Sequence, residues 1–137
     1  MTGMKEVATM ELRYRGKNER PPPAVFGNYL GQGDGEIAGS LISGAVTWDL
    51  YENQSATACE VNMLGTIRTD SEREIGFDIL GFFTRDEGAP VWRMASAIRF
   101  NEPAEGGDAA VNRTGLVEGS FDTRSYIHNY RIYMPAG

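Results

Sequence analysis

One cysteine and one histidine are all that this 137-residue chain has of either type, and each scarcity closes a line of chemistry. Cys59 alone cannot form an intramolecular disulfide, and a Cys/His zinc set is excluded by a single Cys59 and a single His128. With one histidine and no identifiable Ser or Cys partner, a nucleophilic triad has no support. The net charge of −6 argues against nucleic acid, which would need a basic face, so no such partner is expected. No apolar run approaches membrane-spanning length, and the opening MTGMKEVATMELRYRGK lacks the uninterrupted apolar core of an export signal. No membrane partner is therefore expected, and a cytoplasmic location is the default. Lysine is scarce as well, two against eleven arginines. The flat guanidinium fork suits carboxylates and enolates, although GC-rich codon usage would give the same bias.

Phosphate-binding chemistry is missing too. Gly31-Gln32-Gly33-Asp34-Gly35 superficially resembles a dinucleotide loop, but EIAGSLISGAVTW follows it as extended chain and offers no helix N-terminus to hold a phosphate. The glycines fit a strand that bends sharply. No cofactor is expected.

The last absence is the most informative: from residue 44 to 134 there is no sustained 3.6-residue apolar period. Instead the chain runs GAVTWDLY (44–51), ATACEVNMLGTIR (56–68), REIGFDILGFF (73–83), VWRMASAIRF (91–100), VNRTGLVEGSF (111–121) and SYIHNYRIYM (125–134). These segments are rich in β-branched and aromatic residues, and ENQS, TDSE, TRDEGAP and DTR between them carry turn chemistry. Strands near 7–14 and 24–39 precede them, joined through a Pro-rich strap at 15–24; a flexible loop is expected at 102–109. Sequential hairpins with no helix to cover them must close or stack. The expected fold is all-β: one domain over 1–137, a single closed antiparallel barrel of about eight strands.

Period-two patterning sorts each strand into two faces. Ile42, Val46, Trp48 and Leu50 share one face, as do Cys59, Val61, Met63 and Ile67; so do Ile75, Phe77, Ile79 and Phe83, and then Trp92, Met94, Ile98 and Phe100. Exposing these would cost about 1.5–3 kcal/mol per large side chain, so they are placed inside. Trp48, Met63, Phe77, Trp92 and Met94 are then the candidate ligand-lining residues. The opposite register would bring in Asp49, Glu60, Asp78 and Glu118, which are placed outside. In the seventh strand the face of Gly115, Val117 and Phe121 carries Arg113 inward; if the strand begins only after Arg113, the guanidinium stays at the rim in water. In the eighth, Tyr126, His128, Tyr130 and Ile132 face in, putting the only histidine between two phenols.

The runs GEIAGSLISGAVTW (35–48), GTIRTDSE (65–72), RF (99–100), VNR (111–113) and YRIYM (130–134) resemble domain-of-unknown-function family 3237 over roughly residues 5–134. That family is grouped with allene oxide cyclase and dirigent proteins. The chain departs from the family pattern at Trp48-Asp49, where the order is reversed, and at Ser71-Glu72-Arg73, where an Asp-Gly turn is usual. The resemblance implies an allene-oxide-cyclase or lipocalin-like barrel with a shaped cavity. The family's superfamily relatives steer cyclisations and couplings of reactive hydrophobic intermediates, so the resemblance implies that cavity more than a named reaction.

For an apolar barrel with a few polar groups, the resemblance favours a cofactor-independent cyclase, isomerase or lyase acting on a hydrophobic oxygenated, polyketide-like metabolite. In that reading His128 moves the proton, and Arg113 with the Tyr126 and Tyr130 hydroxyls steadies oxyanion character. The alternatives are a carrier that binds such a molecule without chemistry, and a filled barrel acting through an oligomer surface. Leu80, Phe82, Leu116 and Ile127 fall on outward faces, so a homo-oligomer, a dimer first, is expected.

Overall fold

A computed structural model of the chain describes residues 3–17, 28–101 and 114–135. Eight strands follow one another: β1 (Met4–Lys17), β2 (Asn28–Gly39), β3 (Gly44–Gln54), β4 (Ala58–Thr69), β5 (Glu74–Thr84), β6 (Val91–Asn101), β7 (Thr114–Asp122) and β8 (Ile127–Pro135). Each pairs antiparallel with the next, and β8 returns to pair with β1, closing the barrel. No described residue is helical. Residues 15–17 of the expected strap belong to β1; the rest of the strap and the 102–109 loop lie outside the described residues.

The inward faces are those that the alternation gives. Trp48, Met63, Phe77, Trp92 and Met94 are all at most 4% exposed and belong to one continuous core. Closure needs curvature, and register shifts supply it at Tyr14/Gly16 and Glu6/Ala8 on the two edges of β1 and at Tyr29/Gly31 on β2. The glycines of β2 have a packing role as well. A Cβ on Gly33 would lie 2.6 Å from Cζ2 of Trp48, whose indole Nε1 donates to the Asp34 carbonyl at 3.2 Å. Trp48 thus fills the inner face that the glycines leave bare. Gly65 does the same for Phe77, whose ring carbons would stand 2.4 Å from an added Cβ.

That contact makes a stability test. Gly65→Ala forces a core aromatic to move and should cost about 1–3 kcal/mol. Gly76→Ala, whose Cβ would meet nothing closer than the Asn101 carbonyl at 3.5 Å, should be neutral or slightly stabilising. Urea unfolding of the two variants checks this; equal midpoints would mean that the Phe77 ring does not lie over Gly65.

Candidate functional site at one end of the barrel

In an up-and-down barrel the C-terminal ends of odd strands and the N-terminal ends of even strands meet at one rim. Here that rim gathers Tyr14 of β1, Glu52 of β3, Cys59 of β4, Phe83 of β5, Trp92 of β6, Phe121 of β7 and His128 of β8. The β7–β8 turn sets the position of His128. Asp122 accepts from the Arg124 backbone N–H at 2.9 Å and from its guanidinium at 3.0 and 2.8 Å. The Thr123 hydroxyl donates to the Pro90 carbonyl at 2.8 Å, tying this turn to the β5–β6 loop.

His128 is wholly buried in an aromatic box. Phe121 stacks on its imidazole with centroids 4.3 Å apart, and Trp48, Tyr14 and Phe83 stand at 5.5, 5.6 and 5.9 Å. Its Nδ1 shares a 2.5 Å hydrogen bond with the Tyr130 hydroxyl, while its Nε2 is buried with no hydrogen-bond partner among the described residues. Burial lowers the His128 pKa to about 3, so the ring is neutral at physiological pH. Burial raises the Tyr130 phenol well above its ordinary range, with Tyr14 and Glu52 adding to it. Whichever atom holds the shared proton, Nε2 is a buried polar atom with no partner among the described residues. Such an atom is costly in a folded interior. Ser96 Oγ, further along the inner wall, is the other buried side-chain atom in that condition among the described residues.

A second polar pair adjoins the box. The Cys59 thiol donates to Glu52 Oε2 at 2.8 Å, and Glu52 is only 8% exposed. Burial raises the Glu52 carboxyl, against the opposing pull of the Cys59 hydrogen bond. Burial first and Glu52 second push the Cys59 thiol up, so it packs and donates rather than ionising. Burial likewise raises the Tyr14 phenol, with Glu52, Tyr126 and Cys59 contributing, which places these groups in one electrostatic neighbourhood. The arrangement offers hydrogen-bond donors and a buried carboxyl beside an aromatic wall.

Several sequence expectations change here. Desolvation holds the His128 imidazole far below neutrality, against the proton-moving role expected of it. Tyr126 does not face inward: it occupies the β7–β8 turn at φ 59° and is 44% exposed, with its ring 5.5 Å from Tyr14 and 5.8 Å from Phe121. Arg113 lies outside the described residues. Thr114, where β7 begins, is seven residues from Phe121, about 23 Å of extended strand, so β7 separates that end from His128. Of the expected lining residues, Trp48 touches the His128 ring, Trp92 pairs with Phe121, and Met94 lies in the row that continues through Gly119 to Tyr130. Met63 and Phe77 sit elsewhere in the core, in the rows of Leu50 and Trp48. Two site residues escaped the sequence reading. Glu52 was assigned to a turn, yet it continues the inward alternation Val46, Trp48, Leu50; Tyr14 likewise continues Met10 and Leu12. Extending the third strand by one alternation would have found Glu52, and sorting the faces of the expected 7–14 strand would have found Tyr14.

No protein-family model matches the chain, and no curated protein matches it. Among solved structures it is similar to a protein of unknown function from Clostridium acetobutylicum ATCC 824, with a TM-score of 0.69 and 14% identity, covering 97% of this chain and 96% of that one. It is also similar to a β-barrel-like protein from Acinetobacter baumannii AYE, with a TM-score of 0.71 and 12% identity, covering 97% of this chain and 95% of that one. These likenesses concern the barrel fold.

Neutral burial of His128 has a pH signature. Between the ordinary value of 6.5 and the native value of about 3, the unfolded imidazole binds a proton that the native one does not. This contribution to stability is therefore full above pH 6.5 and is lost as pH falls toward 3, by several kcal/mol in all. The raised Glu52 carboxyl acts in the opposite sense, so imidazole ¹⁵N shifts give the clean readout. They should stay those of a neutral ring from about pH 8 down to about pH 5. A titration midpoint near 6.5 would contradict the buried geometry.

Proposed function

We propose that the protein is a cofactor-independent isomerase or cyclase for a hydrophobic, oxygenated small molecule held at the Tyr14–Glu52–His128 end of the barrel. The observation that carries the reading is the Nε2 of a neutral, fully buried histidine inside an aromatic box, an atom with no hydrogen-bond partner among the described residues. A carbonyl or enol oxygen of a ligand would satisfy it, and the surrounding rings suit a flat apolar body. In the reaction, the Glu52 carboxylate takes a proton from the carbon next to the carbonyl. The His128–Tyr130 pair and the Tyr14 hydroxyl steady the resulting enolate oxygen. Glu52 then returns the same proton at another carbon, or the enolate closes a ring and the proton goes to the oxygen released. Neutral donors beside a carboxyl raised by burial are a workable set for such proton transfer. The resemblance to family 3237 fits this reading, because its superfamily relatives steer cyclisations of reactive hydrophobic intermediates.

A carrier role is the second reading. What favours it is that Glu52 Oε2 is already engaged by Cys59 and that His128 is held too far below neutrality to act as a base.

The test uses 2-naphthol as an enol mimic, followed by Trp fluorescence, and 2-tetralone in heavy water, followed by proton NMR. The expected result is 2-naphthol binding that weakens about tenfold in His128→Phe, the loss of one buried hydrogen bond. Loss of α-hydrogen signal from 2-tetralone should slow by about 10²–10⁴ in Glu52→Gln. Binding without exchange in the wild type would favour the carrier. Unchanged binding in His128→Phe together with unchanged exchange in Glu52→Gln would remove the site.

A further inference from the structure

The outer wall of β5–β7 is built unlike the rest of the surface. Leu80 and Phe82 are each 55% exposed and Leu116 is 51% exposed, on strands that alternate cleanly with buried residues. Register sets them around a flat strip. Leu80 stands opposite Ala97, Phe82 opposite Ala95, and Leu116 flanks Ala97 from the other side. Next along the ladder, Asp78 stands opposite Arg99, whose Nη2 donates to Asp78 Oδ2 at 3.1 Å. By contrast, the outer wall of β1, β2 and β8 carries Glu11, Arg13, Glu36 and Arg131, with ion pairs from Arg13 to Glu11 and Glu36. Ile127, expected to join the apolar face, is half-buried near the β7–β8 turn and pairs with Arg13 and Asp122 instead.

We propose that this face is covered by a second copy of the chain, through a two-fold axis running parallel to the strands between β5 and β6. Such an axis turns every β5–β6 ladder pair into a pair between copies. Leu80 then sits over Ala97 of the second copy and Phe82 over its Ala95, large on small in both directions, as an isologous interface requires. Asp78 meets Arg99 of the second copy twice, so the two ion pairs become one alternating cluster of four charges. One strand further out, Leu116 lies over Asn62 and Thr114 over Leu64, which still suits an interface core edging into its rim. Glu60 and Glu118 would oppose each other where the two curved walls diverge and water enters. The self-complementarity of these pairs argues for a second copy rather than a foreign protein, since the charges and the bumps answer one another without any other sequence. An axis parallel to the strands keeps the strands of the two walls aligned across the contact, at the spacing of about 10 Å at which stacked sheets pack.

Sedimentation velocity on the full chain from micromolar to about 100 µM tests it. The wild type should sediment at twice the 15.1 kDa chain mass. Ala97→Glu, an exposed position, should raise the dimer dissociation constant by at least about a hundredfold, because its effect is felt at two symmetric sites. Far-UV circular dichroism must stay that of the wild type. Asp78→Arg should weaken the dimer about tenfold, and adding Arg99→Asp should restore it. A wild type that stays monomeric, or a dimer untouched by Ala97→Glu but broken by Ile127→Glu, overturns the proposal. Failure of the charge swap to restore association overturns the axis.

Discussion

Closure of β8 onto β1 is the constraint from which the other properties of this molecule descend. The pairing of Leu12 with His128 and of Met10 with Tyr130 removes the last free sheet edge and creates an inside that water does not reach. Once the ladder is shut, alternation does the rest: every second side chain is committed to the interior whatever its polarity. Apolar residues profit from that commitment. The few polar ones are trapped by it, and the site consists of those trapped groups. Without closure, His128 would be an ordinary surface imidazole and Glu52 an ordinary carboxylate.

The polar end of the interior shows how burial and pairing interact. His128 and Tyr130 partly satisfy each other, as do Glu52 and Cys59, and both pairs adjoin Tyr14. Desolvation then drives all of them toward their neutral forms, the acids upward and the imidazole downward. This interior end is rich in hydrogen-bonding capacity and poor in fixed charge. That combination suits an oxygen that gains charge only during a reaction better than one that arrives charged, because neutral donors leave no unpaired ion behind when the site is empty. An arginine anchor would have carried that burden, and the course of β7 runs Thr114 away from the His128 end.

Much of this was legible in the sequence, for a physical reason. In a single closed layer the only structural variable per residue is inside or outside, and period two writes that directly into Val46/Trp48/Leu50 or Trp92/Met94/Ile98. Hence the eight strands and the inner faces of four of them follow from patterning alone. Strand ends are another matter, because turn-like composition and strand continuation are locally indistinguishable. ENQS reads as a turn, yet β3 runs on to Gln54 and swings Glu52 inside. Conversely, Ser125-Tyr126 reads as strand but is turn, fixed by Asp122 and Arg124 through contacts that alternation does not encode. The site sits at strand ends, and that is where one-residue errors matter most.

The two faces of β5 and β6 join the interior to the surface. Ile79 and Phe83 point inward, Phe83 against the His128 ring, while Leu80 and Phe82 between and beside them point out. A strand apolar on both faces is what a wall needs when it is packed on both sides, as in a sheet buried between two layers. The outer faces of β1, β2 and β8 carry charged and polar residues instead, as a solvent-facing barrel wall does. β5 therefore has the composition of a buried strand in a molecule that leaves one of its faces uncovered. The thermodynamic cost of that exposure is removed when a second sheet lies against it. The β5–β6 loop, which begins directly after Thr84, also holds the β7–β8 turn through Pro90 and Thr123, so the strands of the proposed contact face lead straight into the segment that positions His128.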